Sequence, residues 1–172
     1  MTKKARIMDT AAVKRAVTRI SHEILEKNKG SEGLVLLGIY KKGIPIADMI
    51  AQRINEIENT KVLIDRIDVS AYRDDVVKKD DPIIKFNFPI DGKKIILVDD
   101  VLYTGRTIRA AMDAIIDQGR PALIQLAVLI DRGHRELPIR ADYVGKNVPT
   151  SVEESIYVSS ENSDDMSVWI MI

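Results

Sequence analysis

The stretch Ile95-Ile96-Leu97-Val98-Asp99-Asp100-Val101-Leu102-Tyr103-Thr104-Gly105-Arg106-Thr107 decides the fold. Its four leading apolar residues are bounded by Lys93-Lys94 and by Asp99-Asp100. An aliphatic run this short suits a strand buried on both faces, as in a parallel sheet. Two carboxylates stand where that strand is expected to end. Thr104, Gly105 and Thr107 follow, and then Ile108, Ala111, Met112 and Ile115 recur at helical spacing. The order is therefore buried strand, polar turn, helix. Ligands of open α/β sheets bind beyond the carboxyl ends of the strands, and a helix N-terminus offers free N–H groups to a phosphate. A Walker-type loop would end in Gly-Lys-Ser/Thr, which this turn lacks. Acids beside a phosphate cradle suit a sugar phosphate instead. Carboxylates accept from sugar hydroxyls while such a turn donates to a phosphate, so a ribose 5-phosphate would satisfy both.

Composition sets the frame. At 172 residues the chain fits one domain, 1–172, that buries roughly two thirds of its unfolded surface. Apolar residues make up 45% and charged residues 30%, the balance of a soluble globular protein. Net charge is zero, so any attraction to nucleic acid must come from a local patch. There is no cysteine, hence no disulfide framework and no thiolate metal site. No run approaches the ~18 apolar residues of a membrane span, and the basic stretch Met1–Arg6 is not followed by a signal-type apolar core. A cytoplasmic protein without membrane attachment is expected.

Outward from the central stretch, the pattern repeats. Asp9 or Thr10 can cap a helix reaching about Lys29 and closed by Gly30. Val13, Ala16, Val17, Ile20 and Ile24 form its apolar face, leaving Arg15, Thr18, Arg19 and His22 on the opposite one. Leu34-Val35-Leu36-Leu37 is a second buried strand. The turn Tyr40-Lys41-Lys42-Gly43 follows, then a helix with Pro45 at its first position and Ile46, Ile50, Ile54 and Ile57 facing inward. Two lysines in such a turn could hold a second anionic group or could simply be solvated. Val62–Tyr72 reads as a long strand, alternating from Arg66 onward and so half-exposed. Residues 66–92 form a flap, with Ile83–Phe88 returning as its partner strand, set to act as a lid. Gly119 and Pro121 end the central helix. Ala122–Ile130 is a third buried strand, ending in Asp131 and followed by the polar loop 131–140. Strands at 141–145, 156–158 and 168–171 complete the chain, with Trp169 in core or interface. Alternating strands and helices give an α/β, doubly wound, mainly parallel sheet.

The central stretch closely resembles the phosphoribosyl-pyrophosphate (PRPP) signature of type I phosphoribosyltransferases: apolar run, two acids, two apolar residues, a spacer, Thr-Gly, one residue, Thr. That resemblance implies the same architecture, with a lid hairpin and short C-terminal strands. It also implies a mechanism. Asp99 and Asp100 hold the ribose hydroxyls, and Val101, Leu102, Tyr103, Thr104, Gly105, Arg106 and Thr107 enclose the 5-phosphate. Lys41 and Lys42 meet the pyrophosphate, Arg73 reaches it from the lid, and Mg²⁺ arrives with PRPP near the two acids rather than on a protein ligand set.

The resemblance extends further. Thr18–Ile24, Tyr72–Asp75, Asp131–Asp142 and Gly145–Ser151 look like one subfamily, the bifunctional pyrimidine operon attenuation proteins with uracil phosphoribosyltransferase activity. It implies conversion of uracil and PRPP to UMP and pyrophosphate, and binding of pyrimidine messenger leader RNA when uridine nucleotides (UMP, UTP) are abundant. It places Asp131, Arg132, His134 and Arg135 against the base, puts Arg15, Thr18, Arg19, His22 and Lys146 on the RNA face, and suggests dimers that assemble further. The subfamily usually carries Thr-Arg-Gly where this chain has Lys41-Lys42-Gly43, and lysine lacks arginine's planar fork. Three readings stay open on sequence: a regulator that is also the enzyme, a regulator with weak or lost catalysis that senses UMP, and a salvage transferase for another base.

Overall fold

The computed structural model describes residues 1–72, 84–160 and 164–172. Residues 73–83 of the lid, with Arg73 and with Ile83 at the start of its expected return strand, lie outside them. The elements are β1 (Lys3–Met8), α1 (Thr10–Asn28), β2 (Leu34–Ile39), α2 (Gly43–Glu58), β3 (Leu63–Ile67), β4 (Lys94–Leu102), α3 (Arg106–Gln118), β5 (Leu123–Asp131), β6 (Tyr143–Asn147), β7 (Ser155–Ser160) and β8 (Met166–Met171). Strands β3-β2-β4-β5-β6 form one parallel sheet, and β1-β8-β7 a smaller antiparallel one.

The buried strands carry apolar side chains on both faces, and each face has its own core. Leu36, Ile96, Val98 and Leu129 pack with Val13, Ile20, Ile24, Ile46, Ile50 and Ile54 of α1 and α2. Leu37, Ile95, Leu97 and Val128 pack with Ile108, Ala111 and Ile115 of α3 on the other side. Each such side chain, fully buried, is worth about 1.5–3 kcal/mol over leaving it in water. Strand order runs outward to β3 on one side of the β2–β4 pair and to β6 on the other. The topological switch therefore falls between β2 and β4, where an open sheet leaves its ligand crevice.

Several boundaries differ from expectation. Strand β4 does not stop at Asp99: it runs to Leu102, because pairing with β5 continues to Leu102 opposite Asp131. Pairing with β2 ends at Gly38 opposite Val98, so both carboxylates sit on the part of β4 that overhangs the switch point. Helix α2 begins at Gly43, making Pro45 its third residue, and Ile57 is exposed. Pro45 still falls among the first four residues, whose N–H groups lack helical partners. The expected long strand at 62–72 is the five-residue β3, followed by a 3₁₀ turn over Ser70–Tyr72. Alternation persists beyond β3, with Ile67 and Val69 buried and Arg66, Asp68 and Ser70 exposed. Residues 84–88 form no strand, although Ile84, Phe86 and Phe88 pack against the α3-side core. The N-terminal stretch, to which the sequence reading assigned no element, is β1, paired with β8. There Lys3 and Arg6 flank Trp169, 4.5 and 5.9 Å from its ring centroid. Among the described residues no helix is long and apolar enough to cross a membrane.

Candidate active site at the strand switch point

Two turns meet at the crevice. The first joins β4 to α3. Gly105 caps α3 with φ +93, a left-handed conformation that disfavours side chains, and its hydrogen lies against Ile139. Thr104 Oγ1 accepts from Arg106 N at 3.3 Å. The Thr104 carbonyl accepts from Glu136 N and Leu137 N at 3.0 and 3.2 Å, and Arg106 Nε faces Glu136 Oε2 at 3.5 Å. The phosphate turn is thus braced by loop 131–140. Residues 101–108 with Asp99 and Glu136 line a cleft of about 490 Å³.

The second turn joins β2 to α2 and includes a cis peptide between Tyr40 and Lys41. Gly43 lies flush on β4: a Cβ there would fall 2.3 Å from the Val98 carbonyl oxygen and 3.2 Å from Asp99 Cα. Tyr40, Lys41, Lys42, Asp68, Ser70, Asp99, Asp100, Val101 and Thr107 are among the residues lining a cleft of about 510 Å³. Asp99, Val101 and Thr107 belong to both clefts, so the two are adjoining halves of one crevice. A ligand with a phosphate at one end and an anion at the other could span them, with its middle against the carboxylates.

The two acids differ. Asp99 is buried, and its Oδ1 accepts from Asp100 N at 2.9 Å. Burial, and then the charge of Asp100, push the Asp99 carboxyl well above the ordinary carboxylate range. Asp100 is half-buried, and its Oδ1 accepts from Val101 N at 2.8 Å. A carboxylate beside a carboxyl held toward its neutral form can accept from one hydroxyl and offset positive charge developing nearby.

Loop 131–140, expected to face the base, has side chains committed elsewhere. Arg132, expected to face the base, is buried. Its guanidinium donates to Thr150 Oγ1, Ser151 O and Glu154 O and lies 4.0 Å from the centroid of Tyr103. Arg135 donates to Asp131 Oδ2, Ile139 O and Tyr103 O, and the other Asp131 oxygen accepts from Gly133 N. His134 Nε2 lies 2.5 Å from Thr150 O, and its ring meets Tyr103 edge-on. These side chains shape the loop and hold the Tyr103 ring, so at these positions the loop's backbone groups are its remaining donors and acceptors. Lys42 lines the crevice, but its ammonium does not stay there: its Nζ donates to Val158 O on β7.

On the far face of α1, Arg15 and His22 are exposed and Thr18 half-exposed. Arg19 is not free for a partner as expected. It bonds Glu23 and the carbonyls of Val144 and Gly145, tying α1 to β6 and setting Lys146 one residue from that clamp. Sequence reading missed Tyr40, Asp68 and Glu136 as cleft residues. The position of each, just past a strand end or inside a polar loop, was the available signal.

A sheet switch point carrying two anion-suited turns joined by paired acids defines a phosphoribosyltransferase. The phosphoribosyl transferase domain model matches residues 4–160, and the chain belongs to that family. It is 61% identical over 163 residues to the bifunctional protein PyrR of Clostridioides difficile, covering 92% of each chain. It is 54% identical over 170 residues to the bifunctional protein PyrR of Bacillus subtilis, covering 95% of this chain and 94% of that one. Among solved structures, a hypoxanthine-guanine phosphoribosyltransferase from Bacillus anthracis superposes with a TM-score of 0.74 at 21% identity, over 98% of this chain and 99% of that one. That of Trypanosoma cruzi hypoxanthine phosphoribosyltransferase is also 0.74, at 21% identity and 96% of each chain. At such identity these two structures speak for the fold alone.

Proposed function

We propose that the protein is a uracil phosphoribosyltransferase that also regulates pyrimidine genes by binding leader RNA in response to uridine nucleotides, acting in the cytoplasm. The observation that carries the reading is the double crevice, whose halves share Asp99, Val101 and Thr107. Similarity to bifunctional PyrR proteins supports it over salvage of a purine or orotate.

The 5-phosphate sits against Tyr103–Thr107, where the α3 N-terminus and the Thr104 and Thr107 hydroxyls donate. The pyrophosphate lies along Tyr40–Gly43. Mg²⁺ enters with PRPP as part of the substrate. The ion prefers oxygen ligands, which the pyrophosphate, the ribose and water would supply, and Asp99 and Asp100 would stand near it without forming a protein ligand set. A uracil ring nitrogen bonds to the anomeric carbon as the bond from that carbon to the pyrophosphate oxygen breaks, and the nitrogen's proton passes to water. The ribose becomes cation-like on the way, and the fixed Asp100 carboxylate stabilises that charge. Loop 131–140 reads uracil through its backbone.

RNA engages the outer face of α1. Arg15 and Lys146 meet phosphates, which makes affinity salt-sensitive, while Thr18 and His22 touch unstacked bases. A homodimer carries this face twice. UMP in the crevice and RNA on α1 strengthen each other's binding by the same factor, as linkage requires. The test is leader-RNA affinity, with and without UMP, for the wild type and for Thr18→Ile and His22→Ala, with uracil transfer followed in the same samples. RNA affinity is expected to fall at least about tenfold, ~1.4 kcal/mol, while transfer persists. Unchanged RNA binding in both variants would reduce the α1 face to a solvated surface.

A further inference from the structure

The β2–α2 turn carries two lysines, and the structure sends them different ways. Lys41 is exposed on the rim of the crevice. Lys42 is half-buried. Its Nζ donates to the Val158 carbonyl oxygen at 2.6 Å and stands 4.2 Å from the centroid of the Tyr157 ring. Both partners lie on β7, 116 residues along the chain in the case of Val158 and part of the other sheet. An ammonium held by a carbonyl and a ring face has two favourable contacts to surrender before it can meet a phosphate. The next residue, Gly43, is fitted against Val98 and Asp99 of β4. The turn is therefore pinned to one sheet by its glycine and to the other by its second lysine, and Lys41 lies immediately before the two pins.

We propose that Lys42 is a positioning residue that latches the turn to β7, and that Lys41 is the lysine of this turn that meets the pyrophosphate. The proposal rests on the transferase reading above. It assigns the Lys42 side chain a role away from the reacting atoms and gives Tyr157, outside the crevice, a function in substrate binding. The latch holds the turn in its binding shape before PRPP arrives, so its loss appears as weaker ground-state binding rather than slower chemistry.

The test uses the full chain, with Mg²⁺–PRPP binding measured by calorimetry without base, and kcat and KM measured with uracil. Lys42→Met is expected to weaken PRPP binding about tenfold, and Tyr157→Leu about threefold, with kcat within about twofold in each. The double variant is expected to be no worse than Lys42→Met, because Tyr157 acts through Lys42. Lys42→Arg keeps most of the affinity, since a guanidinium also donates to a carbonyl and stacks on a ring. Lys41→Met loses PRPP affinity with no help from the latch. If Lys42 instead leaves β7 to grip the leaving group, Tyr157→Leu binds PRPP as well as or better than the wild type, and Lys42→Met loses kcat. Either result, or additive losses in the double variant, overturns the latch. Thermal unfolding identifies any variant that fails to fold; Tyr157→Leu and Lys42→Arg then still decide. A wild type that binds PRPP but transfers no uracil refutes the transferase reading while the affinity arm continues to judge the latch. A wild type that binds no PRPP refutes both.

Discussion

The two turns at the switch point, both suited to anions, are held by opposite kinds of support. The β4–α3 turn is braced locally and redundantly by loop 131–140: two N–H groups on the Thr104 carbonyl, Glu136 near Arg106, and Ile139 over Gly105. The β2–α2 turn leans on a flush glycine and on one lysine that reaches the other sheet. Part of the difference follows from position. The phosphate turn ends a strand flanked by β2 and β5, and the loop after β5 arrives beside it. The β2–α2 turn ends a strand whose outer neighbour is the short edge strand β3. Redundant support tolerates the loss of any one contact, whereas sparse support does not.

Exchanging each turn's glycine breaks the comparison most sharply. Gly43→Ala sets a methyl 2.3 Å from a backbone carbonyl in the sheet core, which only movement of α2 can relieve. Its expected cost is about 3 kcal/mol of stability, with PRPP binding lost as well. Gly105→Ala meets a side chain at 3.3 Å and a left-handed backbone, and about 1–2 kcal/mol is expected. Denaturant midpoints and calorimetry on both variants measure the pair. If Gly105→Ala proves the worse of the two, local bracing is not the stronger support.

Next in size is Asp100. It lines only the cleft of the β2–α2 turn, whereas Asp99 lines both. Asp100→Asn keeps the shape but removes the charge that, on the proposed reading, stabilises the cation-like ribose. The transfer rate is expected to fall at least about tenfold, ~1.4 kcal/mol of barrier, with stability little changed. Steady-state kinetics check this, and an unaltered kcat would take the carboxylate out of the chemistry.

How much of this was legible in the sequence depended on how local each cause is. The strands of the parallel sheet are buried on both faces, so unbroken runs such as Leu34–Leu37 and Ile95–Val98 announced them. The β4–α3 turn was legible for the same reason, its parts lying within nine residues. The far end of β4 was not. Asp99-Asp100 reads as a stop, and only pairing with Val128–Asp131 keeps the backbone extended through them. Strand β1 was missed because Lys3-Lys4-Ala5-Arg6 offers no apolar pattern, and its partner β8 lies at the other end of the chain. The directions of Lys42, Arg19 and Arg132 were equally hidden, since each is set by carbonyls that come into reach only after folding.

The finest test concerns Asp99, where the two turns join. Its carboxyl is raised by burial first and by Asp100 second, so the folded protein holds that proton more tightly than the unfolded chain does. For a raised acid the sign is fixed. The group costs nothing below the unfolded value, and stability drains away as pH climbs from about 4 through the folded value. Asp99→Asn removes that dependence. The variant is therefore expected to gain on the wild type steadily as pH rises through this window, even while it loses activity. Urea unfolding of both proteins across the range isolates the single site, because every other titrating group is common to both. Parallel stability curves would mean that Asp99 ionises freely and that water already reaches the junction. The same measurement extends to the contrast between the turns. The start of α2 lies against the Asp99 backbone at Gly43, so displacing it with Gly43→Ala should admit water beside Asp99 and flatten the wild-type slope, whereas Gly105→Ala should leave it intact.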